Sequence, residues 1–220
     1  MNKKLIIFGV GEFGQLAHYY FTNDSDHSVV GFCVDKEFLD GSEFQQLPIV
    51  ATEEITARFP PNQHAIFVAV GYSKMNELRA KKLNLLKKLG YEATSYISSR
   101  ATVFSTLEHG ENCFVLENNT IQPFVRVGSN VTLWSGNHIG HHSHIGDNTF
   151  VSSHVVISGG VTIGKNCFFG VNSTVCDHIR VGDYCVLGAS SLLNRDAEAH
   201  GTYLGVPAKR SLEKDCETRV

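Results

Sequence analysis

The sequence predicts two structural classes in one chain: an α/β half domain of Rossmann type, followed by an all-β parallel β-helix. Before residue 97, short apolar runs alternate with helical patterns, which favours a doubly wound parallel sheet. From residue 97 onward, apolar residues recur every six positions, a period that neither an α-helix nor a hairpin sheet produces. We therefore divide the chain into residues 1–96, residues 97–195 and a tail of residues 196–220.

Composition excludes several classes of protein. The 220 residues are 42% hydrophobic and 19% charged, which is too apolar for a disordered chain. A net charge of −3 argues against a nucleic-acid partner. No apolar run reaches the ~18–20 residues of a membrane span, and the first residues lack a secretory cleavage site. The six cysteines form no CxxC pair, so we expect reduced thiols in a cytoplasmic protein.

The front region alternates strands and helices. The expected strands are 5–8, 29–34, 65–70 and 91–97. One helix is expected to follow the first strand and to end near Phe21, and another to span 75–89. The buried face of the second helix is expected to carry Met75, Leu78, Leu85, Leu86 and Leu89. Because the region is only about half of a dinucleotide-binding fold, it has room for one nucleotide.

A glycine-rich turn connects the first strand to the first helix. It reads Gly9-Val10-Gly11-Glu12-Phe13-Gly14, and Asp35 closes the next strand. Amides at such a turn can face phosphate, and a carboxylate at the next strand can accept ribose hydroxyls. The same pattern also occurs as a tight turn that binds nothing. Glu12 would repel a diphosphate unless its carboxylate turns away.

The six-residue repeat runs from Ile97 to Leu193 without a break. Sixteen of its seventeen positions are apolar, with His109 as the exception. If three hexads close one coil, residues 18 apart stack at about 4.8 Å. Cys113, Cys167 and Cys185 then share one inward column, as small core residues.

Histidines cluster in one part of the repeat. His141 and His142 follow Ile139-Gly140 at an exposed corner, where adjacent imidazoles suit proton transfer near neutral pH. A merely solvated corner is the alternative interpretation. The 18-residue rule places Gly159 beside His141, and it places His142 and His178 two coils, or roughly 10 Å, apart. The sequence therefore predicts no metal site within one chain.

Three segments together resemble the hexapeptide-repeat sugar acyltransferases. They are residues 139–147, residues 163–170 and the terminal Gly205-Val206-Pro207-Ala208-Lys209. The most similar subgroup carries a nucleotide-binding domain in front, as in the sialic acid O-acetyltransferases and the bacillosamine-pathway N-acetyltransferases. The resemblance covers nearly the whole chain. It implies a left-handed β-helix, a homotrimer, and acetyl-CoA bound between neighbouring β-helices.

The resemblance also implies roles for single residues of the β-helix. His141 matches the catalytic base, which removes a proton from the sugar amine or hydroxyl as it attacks the thioester. Gly159 matches the backbone amide that binds the oxyanion and also contacts the coenzyme. The other positions that match coenzyme contacts are Gly170, Val171, Ala189 and Lys209.

In the front region, the resemblance implies a site for the nucleotide of a UDP- or dTDP-linked sugar. The matching positions are Gly9, Gly11, Glu12, Phe13 and Gly14, the pair Asp35-Lys36, and the turn Gly71-Tyr72.

The chain departs from the family pattern at two positions. Related N-acetyltransferases often place a glutamate after the base to orient its imidazole, whereas His142 stands there and is expected to act as the helper. A histidine that contacts the coenzyme in those relatives aligns with Phe150.

We therefore predict an acetyl-CoA-dependent N-acetyltransferase that acts on a nucleotide-linked amino sugar in surface-glycan biosynthesis. O-acetylation of a sugar of the sialic acid type is the alternative. A trimeric zinc enzyme of the carbonic anhydrase type, with histidines from neighbouring subunits, is a more remote one. A non-catalytic scaffold that senses a nucleotide is another.

Overall fold

The computed structural model describes residues 4–211, which form two compact units. The first unit contains the residues up to Gly71 together with Arg79–Tyr96. The second contains Tyr72–Leu78 together with the residues from Ile97 onward.

The first unit is built on a six-stranded sheet. Its strands are β1 Lys4–Phe8, β2 Ser28–Val34, β3 Glu43–Phe44, β4 Leu47–Ala51, β5 His64–Val68 and β6 Glu92–Ala93. They lie in the order β3-β4-β2-β1-β5-β6, and all neighbours are parallel except the hairpin β3–β4. The central strands β1 and β5 are almost wholly buried, which explains their continuous apolar sequences.

The helices show where the sequence predictions were wrong. The α-helices are α1 Glu12–Asn23, α2 Ile55–Arg58 and α3 Glu77–Lys88, and 3-10 turns cover Lys36–Phe38 and Thr52–Glu54. The buried face of α3 carries Arg79, Leu83 and Leu86.

The buried face predicted for this helix was right at Leu86 and at Met75, which is buried just before α3 begins. It was wrong for the other three leucines, because the helix is rotated about its axis. The exposed leucines are Leu78, Leu85 and Leu89, at 41%, 38% and 36%. Arg79 takes their place, since its guanidinium packs over Phe13 and its Nε donates to a carbonyl.

Two strand predictions were also incomplete. The hairpin β3–β4 was missed, because Pro48 at the start of β4 is a residue that strands disfavour. The strand expected at 91–97 is two strands, β6 and β7 (Tyr96–Ile97), with Thr94 between them. Thr94 shares a hydrogen bond with His27 through its hydroxyl, at 3.0 Å.

The second unit is the predicted left-handed parallel β-helix, which is thereby confirmed. Its strands after β7 are β8 Thr102–Val103, β9 Glu108–His109, β10 Phe114–Val115, β11 Thr120–Ile121, β12 Arg126–Val127, β13 Thr132–Leu133, β14 His138–Ile139, β15 His144–Ile145, β16 Phe150–Val151, β17 Val156–Ile157, β18 Thr162–Ile163, β19 Phe168–Phe169, β20 Thr174–Val175, β21 Arg180–Val181, β22 Val186–Leu187, β23 Leu192–Leu193, β24 Thr202–Leu204 and β25 Lys209–Arg210.

These strands form three sheets, of eight, six and five strands. Neighbouring strands pair 18 residues apart, as Ile121 does with Ile139. Every repeat position from Val115 to Leu193 is buried, so the apolar column forms the core. Cys113, Cys167 and Cys185 lie in that core, whereas Cys216 lies outside the described residues.

An asparagine ladder runs along one corner of the β-helix. Asn112, Asn130, Asn148 and Asn166 all adopt left-handed backbone angles, with φ between 54° and 61°. Each amide donates to the next, over 2.7, 2.8 and 3.4 Å, and Asn166 donates to the Met75 carbonyl at 2.7 Å. Asparagine tolerates this backbone region better than most residues do. The 18-residue spacing was visible in the sequence, but the sequence analysis missed it.

No helix among residues 4–211 has the length and apolar character needed to cross a membrane.

Candidate active site

The predicted catalytic residues gather at one corner of the β-helix, where the chain turns after strands of the six-stranded sheet. We call this the histidine corner, formed by residues 141–142, 159–160 and 177–178. His141 and His142 are exposed, and Gly159 is buried beneath them. A Cβ built on Gly159 would lie 2.8 Å from both Cε1 and Nε2 of His141. The imidazole therefore rests directly on the glycine backbone, and a side chain at position 159 would displace the imidazole from this position.

The two imidazoles of the corner are paired. Nδ1 of His141 lies 3.1 Å from Nδ1 of His142, so one of these atoms donates a proton and the other accepts it. If His141 is the donor, its Nε2 carries the free lone pair of a general base. The His141 amide also donates to Oε1 of Gln122 at 2.9 Å, which fixes the backbone at this turn.

The Gly159 amide already has an acceptor that sequence reasoning missed. It donates to Oδ1 of Asp177 at 2.9 Å, one coil further on. Similar aspartates accept the amides of Ser129 and Lys165, so this contact is also a structural device of the coil. An oxyanion could use the Gly159 amide only if the exposed Asp177 carboxylate moved aside or shared it.

A third imidazole completes the histidine corner. A Cβ on Gly160 would lie 2.8 Å from Cε1 of His178, and Gly160 has a left-handed φ of 67°. Gly160 thus separates the imidazoles of His142 and His178, as the sequence spacing predicts. Among residues 4–211, no group of three histidine, cysteine or acidic side chains could hold a metal ion.

Of the predicted coenzyme residues, Gly159 lies at the histidine corner, whereas Gly170, Val171 and Ala189 lie at a different corner, after strands of the eight-stranded sheet. Val171 is 46% exposed, and Ala189 is exposed one coil away. A Cβ on Gly170 would lie 2.9 Å from the Ala189 Cα, so this position requires glycine. Lys209 is exposed on β25, opposite Leu204. A single chain therefore does not bring the residues of this second corner, or Lys209, to His141.

In the first unit, packing requires glycine at some positions of the glycine-rich turn but not at all of them. Gly9 has a φ of 115°, and a Cβ there would lie 2.5 Å from the Ala69 carbonyl oxygen. A Cβ on Gly14 would lie 2.8 Å from the Gly9 carbonyl carbon. A Cβ on Gly11 would meet nothing within 4 Å. Packing thus explains Gly9 and Gly14 but not Gly11.

Glu12 and Phe13, within the glycine-rich segment, are the first two residues of α1. The Glu12 side chain is exposed. Phe13 lies under the Arg79 guanidinium, 5.7 Å from ring centroid to Cζ.

Asp35 is held on both carboxylate oxygens. Its Oδ2 lies 2.5 Å from Nζ of Lys82, and its Oδ1 accepts from the Thr52 hydroxyl at 3.2 Å. Lys36, the other half of the predicted pair, is exposed. Sequence reasoning missed Lys82 and Thr52; a correct register for α3 would have placed Lys82 beside Arg79.

The predicted turn Gly71-Tyr72 divides between the two units. Gly71 has open space around its Cα. Tyr72 belongs to the second unit, where its ring packs 4.8 Å from the Phe150 ring and 5.0 Å from the Phe168 ring.

A cavity of about 570 Å³ lies elsewhere in the first unit. It contains none of the predicted site residues. His18 and His27 line it, and burial lowers the pKa of both imidazoles, although Asp26 opposes this for His27.

Family models match the β-helix. The bacterial transferase hexapeptide model (six repeats) matches residues 125–159 and 142–175, and the hexapeptide repeat of succinyl-transferase matches residues 160–195. These matches cover part of the β-helix and confirm the resemblance to the hexapeptide-repeat acyltransferases. Among curated proteins, no sequence matches this chain.

Solved structures share the fold over nearly the whole chain. PerB from Caulobacter crescentus, in complex with CoA and GDP-perosamine, is 20% identical with a TM-score of 0.84, over 94% of this chain and 97% of PerB. The acetyltransferase domain of PglB from Neisseria gonorrhoeae, with acetyl coenzyme A, is 20% identical with a TM-score of 0.83, over 96% and 100%.

A more distant likeness is to AntD, an N-acyltransferase from Bacillus cereus crystallised as a mutant with dTDP and coenzyme A. It is 17% identical with a TM-score of 0.51, over 58% of this chain and 87% of AntD. At these identities the likeness concerns the fold.

Proposed function

We propose that this protein is an acetyl-CoA-dependent N-acetyltransferase that acts on a nucleotide-linked amino sugar in surface-glycan biosynthesis. The observation that carries the proposal is the His141 imidazole, which is paired through Nδ1 and rests on Gly159 within a transferase-type β-helix. The fold likeness to PerB with CoA and GDP-perosamine supports the same chemistry.

His141 acts as the general base. Its Nε2 takes a proton from the sugar amine as the nitrogen attacks the acetyl carbonyl, so that a C–N bond forms. The tetrahedral intermediate then collapses, the C–S bond breaks, and the coenzyme leaves as a thiol after taking a proton. Nδ1 of His142 accepts a hydrogen bond from the Nδ1–H of His141, which favours the His141 tautomer with a free Nε2.

The Gly159 amide stabilises the oxyanion once the Asp177 carboxylate gives way. A donor of this kind contributes about 10²–10³ in rate in other enzymes. Because Asp177 is exposed, its side chain can rotate without disturbing the core.

The nucleotide binds at the glycine-rich turn. Gly11 supports this, since a ligand that approaches the backbone accounts for a glycine that packing does not require. Glu12 is exposed, so its carboxylate can turn away when a diphosphate binds there.

The acyl donor is acetyl-CoA, and the working form is a homotrimer. Support comes from the two corners: His141 and Gly159 lie at one, whereas Val171 and Ala189 lie at another. A site that needs both is completed by two neighbouring chains. The protein acts in the cytoplasm, which agrees with the free, buried cysteines among its described residues.

The test is an assay of thiol release from acetyl-CoA by the full chain. The acceptors are UDP-, dTDP- and GDP-linked 4-amino sugars, with free sialic acid for comparison. We expect release only with a nucleotide-linked amino sugar, and a product acetylated on nitrogen by mass spectrometry. Release with sialic acid alone would instead identify an O-acetyltransferase. Zinc in the purified protein, with no thiol release, would point to the metal-dependent alternative.

A further inference from the structure

Helix α3 directs two cationic side chains toward the first unit's interior. Arg79 and Lys82 lie three residues apart, which puts them on one helix face. Arg79 is fully buried, and its Nε donates to the Val68 carbonyl at 3.3 Å, at the end of β5. The Lys82 side chain is 19% exposed, and its Nζ lies 5.7 Å from the Phe8 ring, at the end of β1.

The other lysines of this helix are placed differently. Lys81, Lys87 and Lys88 are exposed. Lys82 is the largely covered lysine of the four, and its Nζ forms a close ion pair with Asp35. Covering a lysine costs desolvation free energy, so a covered pair at the carboxyl edge of the sheet indicates a specific role.

Asp35 is fixed by a small network around it. The single Thr52 hydroxyl proton is shared between the Val34 carbonyl, at 3.0 Å, and Oδ1 of Asp35, at 3.2 Å. The Cys33 thiol donates to Thr52 at 3.7 Å, and burial raises the pKa of that thiol to about 12, so it keeps its proton. With Lys82 on the other oxygen, the carboxylate is held in one orientation before any ligand binds.

We propose that Lys82 is a positioning residue of the nucleotide site, which acts by fixing the Asp35 carboxylate for the ribose of a nucleoside diphosphate. This inference rests on the proposed function of the glycine-rich turn. A carboxylate that is already oriented loses less conformational entropy on binding than a free one. Loss of the Lys82 ion pair would free the Asp35 carboxylate and therefore weaken nucleotide binding.

The experiment compares Lys82→Met with Lys81→Met in the full chain. Both variants keep an unbranched apolar side chain, but only the first breaks the ion pair. UDP, dTDP and GDP are titrated by calorimetry, and thermal unfolding verifies that both variants fold. We expect Lys82→Met to bind the preferred nucleotide about tenfold more weakly or worse, and Lys81→Met to bind it like the wild type. In the transfer assay, KM for the nucleotide sugar rises while kcat and KM for acetyl-CoA stay unchanged.

A double-mutant cycle separates positioning from direct contact. If Lys82 acts through Asp35, Lys82→Met has no further effect in an Asp35→Asn background, and Lys82→Arg restores much of the affinity. Equal losses in both backgrounds would contradict the inference, as would wild-type affinity in Lys82→Met. Failure of the wild-type protein to bind any of the three nucleotides would overturn the proposed function of the turn itself.

Discussion

In the β-helix, the groups of the candidate site are placed by a repeat of 18 residues, whereas in the α/β unit they are placed by contacts that follow no repeat. His141, Gly159 and Asp177 stand at equal intervals and meet at one corner. Asp35, Thr52 and Lys82 meet although their separations along the chain are unrelated. The comparison teaches that a site built on a repeat can be located by counting, while an aperiodic site needs the packing of each element.

The largest expected effect concerns His141, the proposed general base at the histidine corner of the β-helix. His141→Ala removes the group that accepts the amine proton, so we expect turnover to fall at least ~10²-fold while acetyl-CoA still binds. Steady-state kinetics and coenzyme titration measure the two quantities. The matched control is His144→Ala, an exposed histidine on the next strand. Near-normal turnover in His141→Ala would remove His141 from its role.

Substitutions at two glycines of the glycine-rich turn distinguish a glycine required by packing from one required by ligand binding. Gly14→Ala forces a Cβ against the Gly9 carbonyl, and we expect a loss of roughly 1–3 kcal/mol in unfolding free energy. A Cβ at Gly11 meets open space, so only the loss of an N-cap glycine at the start of α1 remains, and we expect a cost of at most about 1 kcal/mol. Nucleotide binding should nevertheless weaken at least severalfold. Denaturant unfolding and calorimetry test both statements; unchanged binding in Gly11→Ala would argue that the turn binds nothing.

Substitutions in the asparagine ladder test whether hydrogen bonds between stacked corner residues stabilise the β-helix. Asn130→Ala breaks hydrogen bonds to both Asn112 and Asn148 inside a buried column. Asn172 has the same left-handed backbone but is exposed, so Asn172→Ala measures the backbone cost alone. We expect Asn130→Ala to cost about 1–3 kcal/mol more in unfolding free energy. Equal losses would show that the ladder adds nothing beyond backbone preference.

The smallest effect is the order of thiol labelling. Burial raises the pKa of Cys33 and of Cys167 to about 12, so roughly 10⁻⁴ of each is thiolate at pH 8. Cys176 is only partly buried. In a Cys216→Ser background, we therefore expect an alkylating reagent to modify Cys176 first, as followed by peptide mass spectrometry. Equally fast modification of Cys167 would contradict the buried column.

The sequence predicted the β-helix and the meeting of His141 with Gly159 because the repeat fixes both. It also predicted the glycine-rich turn and the strands β1, β2 and β5, since buried parallel strands carry continuous apolar runs. On α3 it placed Leu86 correctly on the buried face, but it also placed Leu78 and Leu85 there and missed Arg79. The roles of the individual site residues stay predictions.

By itself, the sequence determined the register of the coils, because side chains that recur every six residues can be buried together in only one way. Only the tertiary structure decided that the Gly159 amide donates to Asp177 and that Lys82 holds Asp35. The physical reason is that such partners depend on helix rotation and side-chain torsions. These are set by the packing of elements distant in the chain, and no local pattern encodes them.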